Sequence, residues 1–113
     1  MEVNYKLYRV RELADGDEEF VKALAEAFLS EVPEDAETLK NAVANKDYYT
    51  TYQAAHKMKP TIDLFELGVL HDLIEVQDWG KFEKTGMDIS GKLLKVLQAV
   101  ESASEEIKRD FNL

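Results

Sequence analysis

Residues 48–65 read YYTTYQAAHKMKPTIDLF, and the apolar or small positions of this stretch recur at intervals of four, three, four and three residues. An α-helix completes a turn about every 3.6 residues, so this spacing gathers those side chains on one face. The stretch therefore predicts an amphipathic helix over residues 48–63 whose apolar face packs into a core. The positions in this stripe are Thr51, Ala55, Met58, Ile62 and Phe65.

Two helices are predicted on the N-terminal side of this stretch. A short helix over residues 5–14 comes first, and Asp17 is suited to cap a second helix because its carboxylate can accept bonds from free backbone N–H groups. Pro33 has no N–H and is expected to break or kink this second helix, which residues 34–45 then resume.

Two further helices are predicted on the C-terminal side, over residues 66–84 and from the turn at residues 85–88 to Phe111. The last of these again spaces its apolar positions at three and four residues. Because short connections join the helices, neighbours are expected to pack antiparallel. The predicted fold is all-α, an up-and-down antiparallel four-helix bundle with a short additional N-terminal helix, in a single domain over residues 1–113.

Composition excludes several classes of function. The 113-residue chain carries 23 acidic and 14 basic side chains, a formal charge of -9. This charge opposes binding to a nucleic acid or an anionic membrane, so neither is expected as a partner. The chain has no cysteine, which excludes disulfides, thiolate catalysis and cysteine zinc sites.

The location and assembly of the protein are predicted from the same features. The N-terminus lacks the apolar stretch of a signal peptide, and no run approaches the roughly 20 apolar residues that span a bilayer. We therefore expect a cytoplasmic protein. The acidic surface is compatible with a monomer, which is the predicted oligomeric state.

His56 is the residue of the third helix with the clearest chemical potential. It lies about 120 to 160° around the helix from most of the apolar stripe, so it is predicted to face outward. A neutral imidazole is a good nucleophile near pH 7. Phosphoryl transfer requires positioning and nearby positive charge, and Lys59 shares the face of His56 while Lys57 lies on its flank.

Other interpretations of these residues remain open at this stage. A histidine followed by lysines is by spacing alone more often an ordinary solvated helix face. His71, on the flank of the fourth helix's apolar face, is predicted to be a partly buried packing histidine. A metal site built from His56, His71 and a carboxylate is disfavoured, because no helix carries a His-x-x-x-His or Glu-x-x-His pair. Tyr52, one turn before His56, is a packing residue or part of a docking surface.

The string His56-Lys57-Met58-Lys59-Pro60 resembles the signature of the histidine-containing phosphotransfer (HPt) family. In that signature an alanine-histidine pair is followed by a basic residue, an apolar residue, a lysine and usually a glycine. Pro60 replaces that glycine, and Gly68 is the candidate for a second family glycine shortly before the next helix. The order of the helices also fits the family, so the resemblance covers essentially the whole chain.

The resemblance implies a role for each residue of the site. His56 would be the phosphoacceptor, Lys57 and Lys59 the basic residues beside it, and Gln77 on the following helix a hydrogen-bond partner of His56. The protein would be a phosphorelay intermediate of two-component signalling that exchanges phosphoryl groups with aspartates of receiver domains. It would be no kinase and need no cofactor of its own, since Mg²⁺ would be bound by the receiver. The alternative is a docking adaptor of the same fold that is not phosphorylated.

Overall fold

The computed structural model describes residues 3–113 and confirms the predicted all-α class. No β-strand occurs in that range. The helices are α1 (Tyr8–Leu13), α2 (Glu18–Ala44), α3 (Tyr48–Leu64), α4 (Leu70–Lys81) and α5 (Ser90–Asp110). None of the helices in the described part of the chain is long and apolar enough to cross a membrane.

The four longer helices enclose the core. Helix α2 packs against α3 and α5, and α4 also packs against α3 and α5, while α1 lies against α2. The stripe predicted for α3 is confirmed, because all five of its positions are buried. Burial of these apolar side chains is the main stabilising contribution to the fold. The largest fully buried side chains are Tyr5, Phe28, Phe65, Leu39, Met58, Ile62, Leu73 and Ile107.

Of the two outcomes predicted at Pro33, a break or a kink, the break is wrong. Helix α2 runs without a break through Pro33 to Ala44. Proline removes one backbone hydrogen bond and crowds the preceding turn, at a cost of about 3 kcal/mol. Val32 and Ala36 are buried on either side of it, so both halves of the helix pack into the same core and offset this cost. Helix α3 passes through Pro60 in the same way.

Helix α4 is shorter at both ends than predicted. Glu66 and Gly68 adopt positive φ angles of 50° and 79° after α3, so the chain turns there and the helix begins only at Leu70. At the other end Glu83 adopts a φ of 47°, which stops the helix after Lys81. A left-handed residue ends helices very commonly, but glycine is its usual signal. Here two of the three residues are glutamates.

The first helix begins at Tyr8, three residues later than predicted. Residues 5–7 form a non-helical segment instead, called the strap below. The backbone N–H of Lys6 donates to the carbonyl oxygen of Phe65 at 2.8 Å, just beyond the end of α3. The Tyr5 hydroxyl donates to Asp110 at 2.9 Å, at the end of α5. The strap therefore joins the ends of two helices that are distant in sequence.

Glu106 of α5 is a buried carboxylate that holds the chain just before this strap. It accepts hydrogen bonds from the backbone N–H groups of Val3 and Asn4 and from the side-chain amide of Asn4. Burial raises the pKa of Glu106, but these hydrogen bonds outweigh burial and hold the pKa below its ordinary value of 4.5. The ionised form is therefore the one that stabilises the fold.

Acid is expected to weaken this contact. Since the folded pKa of Glu106 is lowered, its stabilisation is complete above the unfolded pKa of 4.5 and is lost as the pH falls through the folded value. At neutral pH the Glu106→Gln variant should be less stable by about 2 kcal/mol, because it loses the charge-assisted bonds. Urea unfolding of both proteins across pH 7 to pH 3 checks this, with Glu105→Gln on the exposed face of α5 as the control. A difference that persists unchanged at pH 3 would contradict the assignment.

Candidate functional site

His56 lies on the outer face of α3, on the side away from the buried stripe, and its side chain is exposed. Ala55 and Met58, its neighbours on the inner face, are buried and fix the rotation of the helix about its axis. The orientation of His56 thus follows from core packing. The imidazole is open to solvent at the middle of a helix that is anchored on both sides.

Gln77 of α4 contacts one nitrogen of this imidazole. His56 Nδ1 and Gln77 Oε1 are 3.3 Å apart, and Gln77 is only 7% exposed. The amide Nε2 of Gln77 lies 3.4 Å from a carboxylate oxygen of Asp78, and in this orientation the amide oxygen faces His56. Since an oxygen can only accept, this contact is a hydrogen bond in the tautomer that carries its proton on Nδ1. In the neutral ring the lone pair is then on Nε2.

Tyr52 contacts the flat face of the same imidazole. The two ring centroids are 5.8 Å apart and the planes meet at 29°. Tyr52 is one helical turn before His56 and is half-buried. The imidazole is therefore restrained by its contact with the Gln77 amide oxygen of α4 and by a stacked ring of its own helix.

Gly80 brings the backbones of α3 and α4 together beside this pair. A Cβ atom at residue 80 would lie 2.6 Å from the carbonyl oxygen of Tyr48 and 2.8 Å from the backbone nitrogen of Tyr52. Only glycine fits without a shift of the helices. Sequence patterns did not single out Gly80, although an isolated glycine in a helical pattern is a signal of close approach.

The two lysines that follow His56 differ in their surroundings. Lys57 Nζ lies 3.0 Å from Asp35 of α2, and the hydrogen bond and charge of Asp35 raise the pKa of Lys57. Its charge is directed to the acidic face of α2. Lys59 is half-buried and makes no ion pair with any residue of the described range 3–113. Of the two lysines, Lys59 is therefore the cation still available to a ligand.

Lys81 is a third cation, on the helix that carries Gln77, and sequence reasoning missed it. It follows Gln77 by four residues, so both side chains leave the same face of α4. Lys81 also lines a surface groove together with Tyr49 and Tyr52. The (i, i+4) spacing from Gln77 was the available signal, but it depends on knowing which face of α4 meets α3.

His71 is not the partly buried packing histidine that was predicted. Its side chain is 82% exposed, and Nε2 lies 3.2 Å from the carboxylate of Glu75 one turn later. It lies in the first turns of α4, off the face on which Leu73 and Val76 are buried. Within residues 3–113, no three histidine or acidic side chains come close enough to hold a metal ion.

Comparisons of the chain with models of known protein families, with curated proteins and with solved structures gave no match.

Proposed function

We propose that this protein is a histidine-containing phosphotransfer protein, a phosphorelay intermediate of two-component signalling. In this function His56 accepts a phosphoryl group from the aspartyl phosphate of one receiver domain and yields it to the aspartate of another. The observation that supports the proposal best is the contact of His56 Nδ1 with Gln77. With the proton on Nδ1, the lone pair of this exposed imidazole is on Nε2, and an available lone pair is what a nucleophile for phosphorus requires.

The transfer needs no further reactant. Nε2 attacks the phosphorus of the acyl phosphate, an N–P bond forms, and the P–O bond to the receiver's carboxyl breaks. The electron pair leaves with that oxygen, so the receiver regains its carboxylate. The imidazole becomes positively charged while Nδ1 keeps its proton, and the bond to Gln77 Oε1 becomes charge-assisted and stronger. Gln77 would thus stabilise the transition state more than the resting ring.

Positive charge near Nε2 would compensate the transferred phosphoryl oxygens. We assign this role first to Lys59, which has no ion pair within the described range, and then to Lys81, one turn beyond Gln77. Lys57 contributes less, because Asp35 already compensates its charge. Such electrostatic stabilisation and positioning are the main contributions that a protein makes to phosphoryl transfer.

The proposed function also implies a topology, a location and a class of partner for this protein. The four longer helices would form an up-and-down antiparallel four-helix bundle, with α1 as the short additional helix. The chain would act as a cytoplasmic monomer without autonomous kinase activity or a cofactor of its own, and the receiver would bind the Mg²⁺. Its partners would be receiver domains of response regulators or hybrid histidine kinases, consistent with a net charge of -9 that repels nucleic acids and anionic membranes.

A panel of purified receiver domains tests the proposal. Each receiver is phosphorylated with a labelled small-molecule phosphodonor, freed of the donor and mixed with this protein. We expect at least one receiver to transfer its label to a bond that acid cleaves and base does not. If every receiver passes its label to a control phosphotransfer module and none to this chain, the proposal is wrong. Receiver binding without transfer would then favour a docking adaptor.

The two lysines beside His56 provide a matched pair of variants. We expect Lys59→Ala to slow transfer by about tenfold, because it removes an uncompensated charge near the phosphoryl oxygens. Lys57→Ala should slow it by no more than about twofold, since that charge is shared with Asp35. Rapid-quench rates with one receiver at saturating concentration measure both. Equal losses in the two variants would show that overall charge, not position, is what matters.

A further inference from the structure

The close approach of Gly80 to the backbone of α3 lies next to the contacts of His56 with Gln77 and Tyr52. Along α3, His56 follows Tyr52 by four residues; along α4, Gln77 precedes Gly80 by three. Gly80 meets Tyr52 and Gln77 meets His56, so the two helices run antiparallel and the two contacts are one turn apart. A displacement of α4 at Gly80 would therefore also move Gln77.

The distances indicate how large that displacement would be. To bring a Cβ at residue 80 from 2.6 Å to an ordinary contact of 3.4 Å from the Tyr48 oxygen, α4 would have to move away by about 0.8 Å. The contact between His56 and Gln77 is already long at 3.3 Å. A shift of that size would take it beyond the length at which a hydrogen bond persists.

Tyr52 connects the same glycine to the other side of the imidazole. Its backbone nitrogen is one of the atoms that a Cβ at residue 80 would touch, and its ring stacks on His56. Helix packing at Gly80 thus acts on both groups that restrain the ring. No hydrogen bond of the Tyr52 hydroxyl occurs within residues 3–113, so the flat ring is the part that matters.

We propose that Gly80 and Tyr52 are positioning residues for His56. Gly80 allows α4 to lie close enough for Gln77 to hold the proton on Nδ1, and the Tyr52 ring holds the imidazole plane so that Nε2 faces outward. The two residues would then determine which tautomer His56 adopts. Their relevance to phosphoryl transfer rests on the proposed function, but their effect on the tautomer does not.

Histidine ¹⁵N NMR of the whole protein, without any receiver, tests this directly. His56 and His71 are the two histidines of the chain, so the exposed His71 serves as an internal reference. We expect one tautomer with the proton on Nδ1 for His56 in the wild type. In Gly80→Ala and in Tyr52→Leu we expect a mixture of tautomers, while the His71 signals stay unchanged.

Two control variants separate positioning from general structural effects. Tyr52→Phe keeps the ring and should give the wild-type tautomer. Gly91→Ala on α5 also adds a methyl group to a helical glycine, but nothing lies within 4 Å of it, so His56 should be unaffected. If Gly80→Ala does not fold, the comparison of the His56 tautomer between Tyr52→Leu and Tyr52→Phe tests the proposal. A wild-type tautomer in both Gly80→Ala and Tyr52→Leu would overturn the proposal, as would an equal change in Gly91→Ala.

Transfer kinetics distinguish this inference from the proposed function. With an active receiver, we expect Gly80→Ala to lower the transfer rate by about 10- to 100-fold, the usual effect of a displacement near 1 Å at a reacting group. If the wild type accepts no phosphoryl group while the variants still shift the tautomer, the proposed function is wrong and the positioning role stands. Normal transfer by a variant with a mixed tautomer would overturn the positioning role in transfer.

Discussion

Replacement of His56 by glutamine is expected to abolish phosphoryl acceptance, with a loss of at least about 1000-fold. Glutamine can occupy the exposed position on α3, but its amide has no lone pair that attacks phosphorus. His71 is not expected to take over the reaction, because it lies in the first turns of α4 beside Glu75, and no amide oxygen of residues 3–113 contacts its ring. Label incorporation from a phosphorylated receiver measures the effect.

His71→Gln is the matched control for this variant. It makes the same chemical change at the other histidine, which is 82% exposed and lies six residues before Gln77 on α4. We expect it to accept label at the wild-type rate. Retention of label in His56→Gln, or its loss in His71→Gln alone, would show that the acceptor lies elsewhere.

Replacement of Phe28 by alanine is expected to lower the free energy of unfolding by about 3 to 5 kcal/mol. Phe28 is 1% exposed, and its ring centroid is 5.0 Å from that of Phe65. Alanine would remove this aromatic pair and leave a cavity between α2 and the end of α3. Because a domain of this size is stable by only about 5 to 15 kcal/mol, the variant should unfold at a clearly lower urea concentration.

Phe20→Ala is the control for this change, because Phe20 lies on the same helix and is 44% exposed. Its loss should cost less than about 1 kcal/mol. Equal destabilisation by the two substitutions would contradict the assignment of Phe28 to the core. A lower unfolding midpoint with an unchanged urea dependence would show that only stability has changed.

The elements that the sequence predicted correctly are those with a strong local signal. The stripe from Thr51 to Phe65 repeats with helical spacing, and each of its members is buried. Asp17 accepts hydrogen bonds from the backbone N–H groups of Glu19 and Phe20, as expected of a helix cap. Periodicity and capping depend on a few consecutive residues, so they can be recognised without knowledge of the packing.

The errors arose where packing outweighed local preference. Pro33 is a helix breaker in isolation, but the core on both sides of it keeps α2 continuous. Helix α4 begins late after Glu66 and ends early before Glu83, because both glutamates take left-handed conformations that their residue type does not signal. Such positions usually favour glycine, so a pattern of residue types cannot locate them.

In the candidate site, too, the features with a local signal were predicted and those that depend on packing between helices were not. The outward position of His56 follows from the rotation of α3, which the stripe determines. The ion pair of Lys57 with Asp35 and the approach of Gly80 to Tyr48 join residues from different helices. Those contacts depend on the distance and register between helices, which the spacing within one helix does not contain. Gln77 was expected near His56 through the family resemblance, and because a polar residue on the apolar face of its helix needs a hydrogen-bond partner.

The most direct test of phosphoryl acceptance by His56 is to observe its imidazole during phosphotransfer. Protein with ¹⁵N-labelled histidine is mixed with a phosphorylated receiver, and the imidazole signals are followed by NMR. If His56 is the acceptor, its Nε2 signal alone should change to that of an N–P bond, with the proton kept on Nδ1 and His71 unchanged. Unaltered signals from both histidines, under conditions in which the same receiver phosphorylates a control module, would contradict the claim.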